Sequence, residues 1–191
     1  MRRLTHIVTH HSITPRDLPL ALSLRSFDRT HKARLHKYKN ALGHYIAYHY
    51  VIAGNGDYKQ TRPFGSVGYH AGNWSMNKES IGICLTGNFD KEKPSPAQLK
   101  TLIEIIGGLR DSFGNLKVIG HKDVKGVTKS CPGKNFPELK TLNMNDNLLE
   151  DTIYLLKELW PLQNVKNKKA IGTLANKIRG AQKALGLEVT R

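Results

Sequence analysis

Apolar and polar residues alternate along residues 4–9, Leu-Thr-His-Ile-Val-Thr, with the two-residue period of a strand that buries one face. This segment runs straight into His10, His11 and Ser12. Residues 15–26 are leucine-rich and read as a loop or short helix. Ser26 is placed to cap a helix over residues 27–38, with Asp28 in its first turn and a basic face of Arg29, Lys32, Arg34 and Lys37. Residues 45–53 are aromatic and β-branched, which predicts a strand. Gly54, Asn55, Gly56 and Asp57 predict a tight hairpin turn, and residues 58–61 should pair back. On that strand Tyr48 and Tyr50 share one face and His49 takes the other.

Residues 67–74 mix small residues with the rings of Tyr69, His70 and Trp74 and read as a loop. Residues 80–87 form a second apolar strand, in which Cys84 reads as a small, inert core residue. Ser95, Pro96 and Gln98 make a capping box with proline in the first turn. Leu99, Leu102, Ile103, Ile106 and Leu109 follow at helical spacing, and Gly114 stops the helix. A short buried strand over residues 116–119 ends at Gly120, which places His121 at a strand end.

After about residue 140 the pattern changes. Residues 143–147 are polar, residues 148–159 predict a helix stopped by Pro161, and a second helical stripe runs through Ile171, Leu174, Ile178 and Leu185. Residues 166–191 hold seven basic residues and one acidic residue. The reading is therefore a domain over 1–142 and a basic helical extension over 143–191. That extension suits either an anionic membrane surface or packing on the domain.

The chain has 191 residues and a net charge of +15, with 30 Lys and Arg against 15 Asp and Glu. That balance favours a polyanionic partner: nucleic acid, an anionic membrane or a cell wall. No helix-turn-helix, zinc-finger spacing or RNP-like motif accompanies the charge, so no specific nucleic acid is expected. No apolar run is long enough to cross a bilayer, and no apolar stretch follows Arg2 and Arg3 as a secretory signal would require. Two cysteines, Cys84 and Cys131, do not make a disulfide framework.

The residues with the most chemistry lie between His121 and Cys131. A strand-end imidazole and a loop thiolate are good zinc donors. Lys122, Lys125 and Lys129 in the same loop would lower the thiol pKa. The plainer alternative is a turn that buries a cysteine. His10 and His11 also end a strand, and neighbours on a strand point to opposite faces, so at most one of them faces a given site.

Taken together, these elements resemble a family. Val8, Thr9, His10, His11 and Ser12, then Ala47 through Ile52, then His70, Ala71 and Gly72, then residues 80–87, then Gly120 to Asp123 and Lys129 to Gly133 occur in one order. That order resembles the type 2, zinc-dependent N-acetylmuramoyl-L-alanine amidases, which include T7-type phage lysozyme and the peptidoglycan recognition proteins. The resemblance covers roughly residues 4–140. It implies an α/β fold with a mixed central β-sheet flanked by helices. It implies His10, His121 and Cys131 as Zn2+ ligands, with a fourth position open as in catalytic sites. It also implies catalytic Tyr48 and Lys129, sugar or peptide contacts at His70 and Trp74, and Asp123 either behind a ligand or capping the loop.

The sequence departs from the pattern at His11 and at Gly126 and Val127. The substrate so implied is peptidoglycan, cut between N-acetylmuramoyl and L-alanine. A binding module that recognises peptidoglycan without cutting it is disfavoured by Cys131, because such members typically lack this ligand. A phage endolysin fits the basic tail and small size better than a host recycling enzyme. It is expected as a monomer held in the host cytoplasm until the membrane is permeabilised.

Overall fold

The computed structural model describes residues 2–34 and 38–139. Its strands are β1 (His6–His11), β2 (Tyr50–Ile52), β3 (Tyr58–Gln60), β4 (Ser80–Leu85) and β5 (Lys117–Gly120). They join in the order β3-β2-β4-β1-β5. All neighbours are parallel except the β2–β3 hairpin, so the sheet is mixed. The helices are α1 (Leu20–Arg34), α2 (Trp74–Glu79) and α3 (Pro96–Phe113). Helices flanking a mixed sheet are the α/β architecture expected. The helical extension, its envelope contact and the boundary at residue 142 fall outside the described residues.

β1 is the centre of the sheet, paired in parallel with β4 on one side and β5 on the other. Its residues from Ile7 to His11 are all buried. The alternating pattern predicts only a half-buried strand; a parallel strand covered on both faces buries its polar positions as well. They must then find partners, and Thr9 Oγ1 donates to the Ile119 carbonyl at 3.1 Å.

Two apolar clusters lie on the face of the sheet that carries His10. Phe27, Leu20 and Leu24 of α1 pack with Ile46, Val51 and Cys84. Val8 packs with Ala71, Val124, Met76, Ile119 and Val127. Cys84 is fully buried, in keeping with a core role.

Two expected elements are corrected. α1 begins at Leu20, not after Ser26, because Leu20, Leu24 and Phe27 recur on one helical face and the sheet rewards burying all three. The strand expected over residues 45–53 shortens to Tyr50–Ile52. Side chains take the backbone donors that a ladder would use: Asp28 accepts from the Tyr45 amide at 2.7 Å, and His31 from the Ala47 amide at 3.1 Å. The hairpin after β2 forms as expected, with Gly56 at a φ of 91°. The Ser95–Gln98 capping box is present in full, and Gly114 ends α3.

Candidate active site

The parallel strands β1 and β5 end side by side, with Thr9 opposite Gly120. This pairing brings His10 and His121 together, their ring centroids 4.5 Å apart. Past Gly120 the chain makes one 3₁₀ turn, His121–Asp123, closed by Asp123 Oδ2 accepting from the Gly120 amide at 2.9 Å. Of its two expected roles, Asp123 takes the loop cap.

The loop then returns so that the Cys131 carbonyl accepts from the Lys122 amide at 2.6 Å. Asp90 pins the loop from outside, accepting from Ser130 Oγ at 2.7 Å and from the Lys134 amide at 3.0 Å. These two bonds hold the Asp90 carboxyl below its usual pKa. Gly133 sits at a φ of 109°, and a Cβ there would lie 2.5 Å from the Phe89 carbonyl carbon, so only glycine fits.

His10, His121 and Cys131 thereby offer three donor atoms within 4.8 Å of one another. His10 Nδ1 is 3.7 Å from Cys131 Sγ. A tetrahedral zinc with ordinary bond lengths sets its nitrogen and sulfur ligands about 3.6 Å apart. His121 bonds the Ala71 backbone through one ring nitrogen, and its Nε2 is buried with no partner among the described residues. An orphaned, buried lone pair beside a thiol and a second imidazole is a donor set that fits zinc.

His11 lies on the other face of β1, as strand parity requires. Its Nδ1 accepts from the Phe89 amide at 3.1 Å, while its backbone amide donates to Cys131 Sγ at 3.4 Å.

The electrostatics correct one expectation. The loop lysines do not make Cys131 acidic; burial pushes its thiol up to about 11, against which the His11 amide and Lys129 pull only partly. Binding a metal there displaces the thiol proton. Burial also holds His10 well below the usual imidazole pKa and His121 below it, so both are neutral imidazoles near pH 7.

Tyr48 is half-buried, its ring 5.1 Å from that of His10. Burial raises its phenol well above the ordinary value, which keeps it a proton donor. Lys129 is exposed, and its charge lowers the pKa of both His121 and Cys131. Trp74 is 54% exposed and packs on Tyr69 with centroids 5.8 Å apart.

The sequence profile of the N-acetylmuramoyl-L-alanine amidases matches residues 1–134. The chain belongs to this amidase family. It is 32% identical to a peptidoglycan-recognition protein of Drosophila simulans over 138 residues, 68% of each chain. It is 30% identical to the endolysin of Enterobacteria phage K11 over 92 residues, 46% of this chain and 58% of that one. Among solved structures, the N-acetylmuramoyl-L-alanine amidase LysC from Clostridium intestinale URNW superposes with a TM-score of 0.61 at 30% identity, over 75% of this chain and 88% of that one.

One residue of the expected site is buried beside His10 and not on the surface. His70, expected to touch sugar or peptide, is only 6% exposed and sits behind His10, its Nδ1 3.0 Å from His10 Nε2. Sequence reasoning also missed Asp90. Its partners lie about forty residues away, and an acidic residue in a polar loop carries no local mark of such a tie.

Proposed function

We propose that this amidase is zinc-dependent, that its substrate is peptidoglycan, and that it hydrolyses the amide between the lactyl group of N-acetylmuramic acid and L-alanine of the stem peptide. We further propose that it serves as an endolysin in cell lysis. The observation that carries the reading is the convergence of His10, His121 and Cys131, with an unpartnered His121 Nε2, at the end of the parallel strands.

Those three residues would hold the ion. When bound, zinc lowers the pKa of a coordinated water towards ~7 and polarises a carbonyl. Lys129 brings a positive charge close enough to act on His121 and Cys131, suited to the oxyanion that develops on the lactyl carbonyl. Tyr48, neutral at pH 7, can donate to the departing amine or orient the attacking water. Trp74 offers an exposed ring that a sugar or peptide could stack on.

The test is direct. Purified peptidoglycan incubated with zinc-loaded protein should yield free L-alanine amino termini and intact lactyl groups by mass spectrometry, and a chelator should stop it. Retention on peptidoglycan without such ends would replace the reading with a binding module. Tyr48→Phe and Lys129→Ala should each keep stoichiometric zinc and lose on the order of 10²-fold in kcat. Wild-type turnover in either variant removes that residue from the mechanism.

A further inference from the structure

His70 is the residue of this region whose placement the proposed reaction leaves unused. Its ring is wedged between two glycine backbones. A Cβ on Gly82 would lie 2.5 Å from its Cγ, and one on Gly68 would lie 2.6 Å from its Cδ2. Asn77 Oδ1 fixes the backbone below the ring, accepting from the His70 amide at 3.0 Å and the Ala71 amide at 2.9 Å. The rings of His10 and His70 meet edge-on at 85°, with His10 Nε2 3.0 Å from His70 Nδ1. His70 Nε2 is buried and has no hydrogen-bond partner among the described residues.

A purely space-filling role does not account for this arrangement. An apolar side chain would occupy the same volume without a buried, unpaired polar atom, which is costly. The useful atom is therefore Nδ1, the one facing His10. Two neutral imidazoles joined by one hydrogen bond have two arrangements. If His70 carries its proton on Nδ1, it donates to His10 Nε2, and the His10 proton sits on Nδ1, facing Cys131. If His70 carries its proton on Nε2, its bare Nδ1 accepts from His10 Nε2–H, and His10 Nδ1 is left bare towards Cys131 Sγ, 3.7 Å away. Only the second leaves His10 able to ligate through the nitrogen that faces Cys131. A metal-bound imidazole ordinarily gives its remaining N–H to an acceptor that fixes tautomer and ring angle. Among the described residues, His70 Nδ1 is the atom that stands in that acceptor position.

We propose that His70 is a positioning residue for the metal centre: through Nδ1 it accepts the Nε2–H of His10, holding His10 in the tautomer and orientation that present Nδ1 to zinc. The acceptor is a neutral imidazole and not a carboxylate, so Cys131 remains the anionic member of the trio. This inference rests on the zinc site proposed above but not on the reaction assigned to it.

The experiment reads tautomers and metal affinity, not turnover. In zinc-loaded, ¹⁵N-histidine-labelled protein, His70 should show the Nε2–H tautomer, with a coupling across the hydrogen bond from His10 Nε2 to His70 Nδ1. A Nδ1–H tautomer at His70 overturns the proposal. Zinc affinity measured by chelator competition should fall about 10- to 100-fold in His70→Leu, which fills the volume without the acceptor. It should recover in His70→Asn, whose amide oxygen can stand near the Nδ1 position. Equal affinity in folded His70→Leu and wild type overturns the proposal. If His70→Leu does not fold, the tautomer measurement on the unaltered protein decides. Failure to bind zinc at all in wild type would overturn the metal site itself, a distinguishable result.

Discussion

Replacing Cys131 by serine is expected to strip zinc from the protein and abolish hydrolysis, whereas Cys84→Ser keeps the metal. Cys131 Sγ is one of three donor atoms within 4.8 Å, and it is the soft, anionic one once its proton is displaced. A serine hydroxyl stays protonated near pH 7 and binds zinc poorly. Sharing the roughly 10–16 kcal/mol of a four-ligand structural zinc site among its ligands gives about 3–4 kcal/mol each, so losing one weakens binding about 10²- to 10³-fold.

Cys84 is fully buried among Phe27, Ile46 and Val51 and is not one of the three donors. A hydroxyl there costs roughly 1–3 kcal/mol of stability and leaves the donor set intact. Cys84 also neighbours the Tyr48 hydroxyl, so zinc content by elemental analysis is the decisive readout, ahead of kcat. His10→Ala should behave like Cys131→Ser, and His11→Ala should keep zinc, because His11 faces Phe89 on the other side of β1. Full zinc and activity in Cys131→Ser would remove the proposed site.

The metal-free protein should lose stability steeply as pH falls below about 6.5. His10, His49 and His70 are buried and held neutral. His49 is pushed down to about 3 by burial and then by Arg2, whose guanidinium lies 2.8 Å from its Nε2. His10 and His70 are held well below the usual value by burial first and then by neighbouring histidines. In the unfolded chain all three titrate near 6.5. Between that pH and the folded-state values, the unfolded state binds protons that the folded state refuses, so stability falls with falling pH.

Each such histidine costs about 1.4 kcal/mol per pH unit in that window, or about 4 kcal/mol per unit for the three. Against a typical total of ~5–15 kcal/mol, losses of that order weaken the metal-free fold markedly as the pH falls through mild acid. Urea unfolding at several values between pH 7.5 and 5 checks this. A midpoint that does not move across that range would mean these rings are not buried neutral.

The architecture was largely legible in local sequence. The Ser95–Gln98 capping box, Gly114 after α3, the Gly56 turn and the apolar run of β4 each depend on residues within a few positions of one another. Such signals survive in sequence because the physical cause is itself local. The parity of His10 and His11 is of the same kind, since adjacent strand residues must diverge. α1 and the short β2 were misjudged where side chains distant in sequence settled the outcome: the sheet beneath Leu20 and Leu24, and Asp28 and His31 on the Tyr45 and Ala47 amides.

By itself, the sequence determined the sheet-and-helix elements, the basic charge and the residue types able to bind a metal. Only the tertiary structure decided which of them meet. Parallel pairing of β1 with β5 is what sets His10 beside His121, and Asp90 is what holds the Cys131 loop against them. The direction of the Cys131 pKa followed the same division: three nearby lysines are visible in sequence, but burial is not, and burial outweighs them. His70 shows the limit most clearly. A histidine in a small-residue loop looks like a surface contact until Gly82 and Gly68, from other segments, leave the space that draws its ring inside against His10. Desolvation and long-range packing depend on the whole fold, and no window of neighbouring residues contains them.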